Sequence, residues 1–207
     1  MLRLYYCSLP EEASPVPDAL LSAYRKEKLA AQTNRQLRVQ SLCAELLLLF
    51  ALRDSGIPAE EPLEIVTGEY GKPTLQSGAC RFSLSHSGGM LLCALCDREI
   101  GADIQIRSEA EPALIERFFA ADERTCVFSS ADPDTAFTEL WSKKESFCKL
   151  DGRGLALPLS SFSVFDEEIA PLLWHGTAGE FHMAVCSDAA AREEPELIAV
   201  KTDALFR

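Results

Sequence analysis

Four stretches of this chain carry residue types that could do chemistry together. In Leu140-Trp141-Ser142-Lys143-Lys144-Glu145-Ser146-Phe147-Cys148-Lys149 no helix breaker intervenes, and a glycine pair, Gly152 and Gly154, closes the run. At helical spacing Trp141, Glu145 and Lys149 fall four apart on one face, with Lys144 beside them. Upstream lie an aspartate, Asp103, in an apolar strand-like segment, and a histidine in Ser85-His86-Ser87. A lysine sits in the turn Gly71-Lys72-Pro73. A carboxylate for a metal, a second carboxylate and several cations are the parts a pyrophosphate-cleaving site needs. Taken alone, the helix is an exposed Glu/Lys face held by i,i+4 pairs, so the case rests on the stretches converging.

The elements that must position these residues are legible along the chain. Residues 1 to 9 read as a strand and residues 10 to 17 as an acidic, proline-containing turn. A helix is predicted from Asp18, its N-cap, through the basic residues Arg25, Lys26 and Lys28. A second helix, Leu37 to Arg53, is apolar over so much of its girth that it belongs between layers; Gly56 and Pro58 end it. Leu63 to Thr67, Arg81 to Ser85, Met90 to Cys96 and Ile100 to Ile106 are predicted strands, broken by His86-Ser87-Gly88-Gly89 and by Asp97-Arg98-Glu99. Asp103 and Gln105, two apart, leave the same face of the last of these. Helices follow over Glu111 to Phe119 and Asp134 to Leu150, then strands over Ser161 to Phe165, Phe181 to Cys186 and Leu197 to Thr202. Each half thus holds a helical block followed by strands. The predicted fold is α+β, in two similar halves of residues 1–98 and 99–207 related by a pseudo-twofold axis.

Composition narrows the partners. With 207 residues, 47% hydrophobic and 25% charged, the chain is of ordinary globular make-up. A net charge of -12 argues against a general nucleic-acid or anionic-membrane binder. The basic residues are nevertheless clustered, at Arg25, Lys26, Lys28, Arg35 and Arg38 and again at Lys143, Lys144, Lys149 and Arg153, a pattern suited to a compact polyanion or to two solvated helix faces. The start of the chain reads as a strand rather than a secretory signal, and the run Leu46 to Leu52 is too short to span a bilayer. Eight scattered cysteines, mostly in apolar segments, read as reduced core thiols in a cytoplasmic protein. Cys93 and Cys96 have redox or zinc half-site spacing but no second pair, and in a strand they point to opposite faces.

Gly71-Lys72-Pro73, Phe82-Ser83-Leu84-Ser85-His86-Ser87, Ile100-Gly101-Ala102-Asp103-Ile104 and Trp141-Ser142-Lys143-Lys144-Glu145-Ser146-Phe147-Cys148-Lys149 occur in this order, and as a set they are specific. Glu69 to Pro73, Arg117 to Phe119, Gly152 to Val164 and Met183 to Cys186 add to the likeness. Together they resemble the 4'-phosphopantetheinyl transferases, in particular the monomeric surfactin-synthetase-activator type. The resemblance implies an enzyme moving the phosphopantetheine arm of coenzyme A, its donor substrate, onto a serine of an acyl or peptidyl carrier protein, with release of 3',5'-ADP. It also implies a magnesium cofactor and an active site in the cleft between the halves.

By the same resemblance Asp103 and Glu145 are metal ligands, Lys144 and Lys149 catalytic cations on the diphosphate, and Lys149 is nearest the leaving group. His86 is a ligand of the 3'-phosphate of coenzyme A with Ser85 donating beside it, and Arg25, Lys28 and Lys72 grip nucleotide phosphates. Arg38 is a weaker candidate. Many relatives carry a second acidic residue where this chain has Gln105; its carbonyl would coordinate the metal or a water on it but brings no charge. The serine proton goes to Glu145 either directly or through a water held at the metal, because coordination lowers the basicity of a carboxylate. Leu114, Ile115, Phe118 and Phe119 form an apolar ridge of which one or two members would meet the carrier, the rest packing inward. His175 and His182 are read as structural. The competing class, favoured by Gln105, is a catalytically weak protein that only binds coenzyme A or a carrier.

Overall fold

The computed structural model describes residues 1–206, with Leu155 described by its backbone alone. The first strand, β1 (Leu2–Ser8), is followed by a single 3-10 turn at Asp18–Leu20 and then by helix α1 (Ala23–Ala31) and helix α2 (Arg35–Asp54). The helix expected from Asp18 therefore starts later, capped by Ser22, whose hydroxyl accepts the Arg25 amide at 3.0 Å. Ser22 wins because the buried Glu45 carboxylate binds both its amide and its hydroxyl, at 2.6 and 2.8 Å.

Strands β2 (Ile65–Thr67) and β3 (Pro73–Leu75) make a small hairpin, and β4 (Arg81–Ser87) and β5 (Met90–Cys96) a larger one. Then come β6 (Gly101–Ile106), helices α3 (Pro112–Phe118), α4 (Ala121–Ser129) and α5 (Pro133–Asp151), and strands β7 (Leu173–Ala178), β8 (Phe181–Cys186) and β9 (Glu196–Ala199). Among the described residues no helix is long and apolar enough to cross a membrane.

Beside the two-stranded β2-β3 sheet, two larger sheets are ordered β4-β5-β1-β9 and β6-β8-β7. Strand alternation builds two cores from one sheet. Tyr5, Cys7, Leu91, Cys93 and Leu95 face α2, where they meet Leu46 to Leu49 and Leu52. Leu2, Leu4, Leu92, Ala94 and Cys96 face the other way, onto Ile100, Ala102, Ile104, Met183 and Val185 of the second sheet region. Cys93 and Cys96 do sit on opposite faces, and all eight cysteines are free. A third cluster, with Ile115, Phe119, Phe137 and Leu140, joins α3 and α4 to α5. The fold is mixed α+β. Its last strand returns to the first sheet, pairing parallel with β1 from Arg3↔Glu196 to Tyr6↔Ala199, so the tail of the second half closes on the first.

Three expectations need correction. Residues 161–165 are not a strand: a 3-10 turn ends at Ser161, and Ser163 and Asp166 draw the backbone into local turns through Asp166 Oδ2 and Ser163 Oγ. The last strand stops at Ala199, because Thr202 opens another 3-10 turn. Helix α4 and strand β7, absent from the sequence reading, form where charged or interrupted patterns hide the apolar face.

Candidate active site

Two strands from different sheets run edge by edge at the centre of the molecule, and serines rather than a backbone ladder join them. Ser83, Ser85 and Ser87 alternate along β4 and so point the same way. Ser83 Oγ accepts the amide of Ala102 at 2.9 Å, Ser87 Oγ accepts that of Ile106 at 3.1 Å, and Ser85 Oγ donates to Asp103 Oδ1 at 2.6 Å. Behind β6 stands α5. The approach is so close that a Cβ on Gly101 would lie 2.0 Å from the carbonyl oxygen of Ser146 and 2.3 Å from the amide of Leu150. Only glycine fits, and its placement brings Asp103 under the last two turns of α5.

Asp103 is buried and fully engaged. Lys149 Nζ donates to its Oδ1 at 2.6 Å and to the Ala102 carbonyl at 3.1 Å, while Gln105 Nε2 donates to Oδ2 at 2.8 Å. Glu145, one turn before Lys149, has no hydrogen-bond partner among the described residues. Burial, then the charge of Asp103, raises its pKa above the usual carboxylate value, and Lys149 only partly opposes them. His86, on the turn-proximal end of β4, opens one edge to the cavity. Partial enclosure of the ring, then Lys149, holds its pKa below the ordinary imidazole value.

Glu145, Lys149 and His86 line one cavity of about 840 Å³; Asp103 and Gln105 are not in its lining, and Asp103 is tied to it through Lys149 and Ser85. Arg25 and Lys28 of α1 border it, as do Lys72, Ser85, His86, Glu145 and Lys149. Arg25 is held by Glu45 at 3.1 Å and by Ser41 at 2.8 Å, and Lys28 lies over the Tyr24 ring at 5.0 Å. The helix α5 ends at Gly152, whose positive φ of 84° supplies the left-handed cap and where a Cβ would lie 3.3 Å from Cδ of Lys72.

The structure does not bring every candidate to that cavity in the expected role. Lys144 is fully buried away from it, its ammonium bound by both oxygens of Glu123, at 2.7 and 2.9 Å, and by the Phe162 carbonyl at 2.8 Å. Lys72 spends its three protons on Glu99 and on the carbonyls of Ile100, at 3.2 Å, and Leu150, at 3.1 Å, so it staples the end of α5. Ser85 commits its single proton to Asp103 and has none for a phosphate. Gln105 turns its amide nitrogen to Asp103 and its oxygen to the Ser87 hydroxyl at 3.2 Å, so it is a hydrogen-bond donor there rather than an oxygen ligand. Arg38 binds the Leu29 and Gln32 carbonyls and closes the end of α1. Of the apolar ridge, Ile115 and Phe119 are core, and Phe118 reaches the cavity. His175 and His182 pair with each other at 3.1 Å.

Sequence reading missed Glu45, Glu123, Ser83 and Ser87, and gave Ser85 a phosphate in place of Asp103 as its partner. Glu45 carried a signal, a lone carboxylate inside the apolar run Leu42 to Leu52, where only a paired charge is tolerated. Glu123 carried none, since its partner lies 21 positions away.

The donor set offers a cation two carboxylates, Asp103 and Glu145, whose mutual repulsion a dication would relieve. No group of three or more His, Cys, Asp or Glu side chains is placed to hold a metal among the described residues. Two carboxylates suit magnesium, which keeps several waters of its own.

Residues 99–196, which contain β6, α5 and their acidic residues, match the family model described as the 4'-phosphopantetheinyl transferase superfamily. The chain belongs to this family. It is 32% identical over 169 residues to the 4'-phosphopantetheinyl transferase gsp of Aneurinibacillus migulanus, covering 78% of this chain and 70% of that one. To the 4'-phosphopantetheinyl transferase Sfp of Bacillus subtilis (strain 168) it is 30% identical over 149 residues, 70% of this chain and 66% of Sfp. The L-aminoadipate-semialdehyde dehydrogenase-phosphopantetheinyl transferase of Saccharomyces cerevisiae is 32% identical over 136 residues, 59% and 50% of the two chains. The chain thus spans 66% of Sfp and 70% of gsp.

Proposed function

We propose that the protein transfers the 4'-phosphopantetheine group of coenzyme A to a serine of an acyl or peptidyl carrier protein, releasing 3',5'-ADP. The observation that carries this is the meeting, in one cavity, of Glu145, which has no hydrogen-bond partner among the described residues, of Lys149, tied to the buried Asp103, and of His86, with Arg25 and Lys28 in the same lining. Arg25, Lys28 and His86 would bind the nucleotide phosphates, and Lys72 would form the wall beneath them. The carrier serine Oγ bonds to the phosphorus of the phosphopantetheine phosphate as the bond from that phosphorus to the bridging oxygen breaks. The pair of electrons leaves with 3',5'-ADP, and Lys149 meets the charge that develops there. Glu145 would take the serine proton directly or through a water; burial and Asp103 raise its basicity, and a held cation would lower it again. Magnesium, held by Asp103 and Glu145, would supply further neutralisation of the diphosphate charge.

In this reading the two halves part at Asp97 to Glu99, and each sets a long helix, α2 or α5, against its own sheet, which supports a duplicated origin with the site between the copies. Phe118 at the cavity is the residue of the ridge that meets the carrier. A cytoplasmic location fits the eight free thiols, seven of them buried, and a monomer serving secondary-metabolite biosynthesis belongs to the same proposal.

The test is a mass measurement on a purified apo carrier incubated with coenzyme A, magnesium and the protein. The carrier gains the phosphopantetheine mass with wild type and not with Glu145→Ala. A carrier panel left unmodified by a folded wild type that binds coenzyme A defeats transfer and leaves only binding.

A further inference from the structure

The buried pair on the far side of α5 joins three pieces of chain. Glu123 Oε1 accepts the Val164 amide at 2.8 Å and Oε2 accepts that of Ala120 at 2.8 Å, in addition to both bonds from Lys144. Lys144 binds the Phe162 carbonyl, and its ammonium lies 4.2 Å from the centre of the Phe162 ring. That ring also packs on Phe147 of α5, with centroids 4.6 Å apart. Beside Glu123, Asp122 accepts the Ser163 hydroxyl at 2.7 Å. Among the described residues, residues 162–164 have no strand partners; these side chains hold them, together with the burial of Val164 beside Ile115, Val127 and Phe137. The residues just before, Leu157, Pro158 and Leu159, line the cavity that Glu145 and Lys149 share.

We infer that Lys144 and Glu123 are positioning residues that clamp residues 157–164 against α5 and thereby set the cavity wall on which the donor substrate lies. Both partners have zero exposure, so neither touches a ligand. The inference rests on the transferase reading only for its kinetic arm; the clamp itself can be read by hydrogen exchange without any substrate.

The experiment compares full-length wild type, Lys144→Met, the double variant Lys144→Met/Glu123→Gln, and Lys149→Met. A clamp predicts that Lys144→Met speeds amide exchange over residues 159–164 by at least about tenfold, because an unpaired carboxylate is left inside. It also predicts that the KM for coenzyme A rises by about tenfold while kcat stays within about threefold. The double variant leaves no buried charge but still lacks the Lys144 bonds to residue 123 and to the Phe162 carbonyl. Its exchange therefore lies between those of wild type and Lys144→Met, about threefold to fivefold faster than wild type, with KM raised in proportion. Lys149→Met shows the reverse split, low kcat with slow exchange.

Unchanged exchange in Lys144→Met would overturn the clamp, as would a fall in kcat with KM unmoved. Should Lys144→Met not fold, the double variant decides alone. In it, exchange faster than wild type with kcat kept supports the clamp, exchange as slow as wild type with transfer retained overturns it, and slow exchange with transfer lost puts Lys144 in the chemistry. A wild type without transfer would sink the function proposed above, and the exchange measurements would still stand.

Discussion

Two lysines of one helix make two ion pairs with opposite characters. Lys144 and Lys149 are five residues apart, about 140° around a helix that turns about 100° per residue, so they cannot share a face. The Lys144–Glu123 pair is sealed, with every proton and lone pair it needs supplied by protein. The Lys149–Asp103 pair is asymmetric: Asp103 is buried, Lys149 keeps 29% of its side chain exposed to the cavity, and the unpartnered Glu145 stands beside it. A saturated pair can only hold structure. A pair with an exposed cation and an idle carboxylate beside it retains capacity for a ligand, and that is where chemistry belongs.

The contrast is broken most directly at Lys149. Lys149→Met should lower kcat about a thousandfold, about 4 kcal/mol of transition-state stabilisation. It should lower the melting temperature less than Lys144→Met does, because Ser85 and Gln105 still bond the buried Asp103 carboxylate. Stopped-flow or mass-based turnover beside a thermal melt measures both. A melt that falls as far as that of Lys144→Met would erase the distinction between the pairs.

Gly101→Ala attacks the support of the open pair and leaves the sealed one alone. The new Cβ would strike backbone atoms of α5, which have no free rotamer to yield, so about 3 kcal/mol of stability should go with most of the activity. Urea unfolding gives the number. A neutral result would mean that β6 and α5 can separate, and with them Asp103 and Lys149.

A third charged site on α5 sharpens the comparison because it is governed by pH rather than by ligand. His175 on β7 touches His182 and lies 3.9 Å from Glu139, which also pairs with Lys143; Arg107 and Asp132 act on His182. Burial, against the pull of Glu139, lowers the His175 pKa to about 4. Between the ordinary value near 6.5 and about 4 the unfolded chain therefore binds the proton and the folded chain does not. Stability falls as pH falls through that window, by about 2 kcal/mol from pH 7 to pH 5, and no further on this account below about 4. Urea midpoints across the range should show this slope in wild type and lose most of it in His175→Gln. The same slope in both would assign it to other groups.

How much of this was legible in the sequence depends on how local each cause is. Helix α2 announced itself by an apolar run, α5 by an unbroken pattern ending in Gly152, and the strands around Asp103 by alternation. The Ile100-Gly101-Ala102-Asp103 motif and the Glu145/Lys149 spacing pointed to residues that the fold does bring together. What misled was adjacency: Lys144 stands next to Glu145 in the chain but 100° round the helix, and its partner Glu123 sits on a helix whose charged start hid its apolar side. Ser85, Lys72 and Gln105 were read for what their groups can offer. Whether those groups are already committed to Asp103, Ile100 or Leu150 is a tertiary fact with no local trace.

Gln105 supplies the smallest and most discriminating test. As it stands, the amide donates to Asp103 and so shares with Lys149 and Ser85 the task of neutralising that carboxylate. Replacing it by glutamate removes a donor and adds a like charge two residues away on the same face of β6. Without a cation the variant should be destabilised by about 1 kcal/mol, since two carboxylates would then face each other beside Glu145. With magnesium present the balance should reverse, the third carboxylate tightening the ion by about tenfold, or about 1.4 kcal/mol. Calorimetric titration of magnesium into both proteins, with melting temperatures with and without the ion, reads this without recourse to turnover. If the variant binds magnesium no more tightly than wild type, the acidic residues of β6 and α5 do not form a common cation site, and the open side of α5 works through Lys149 alone.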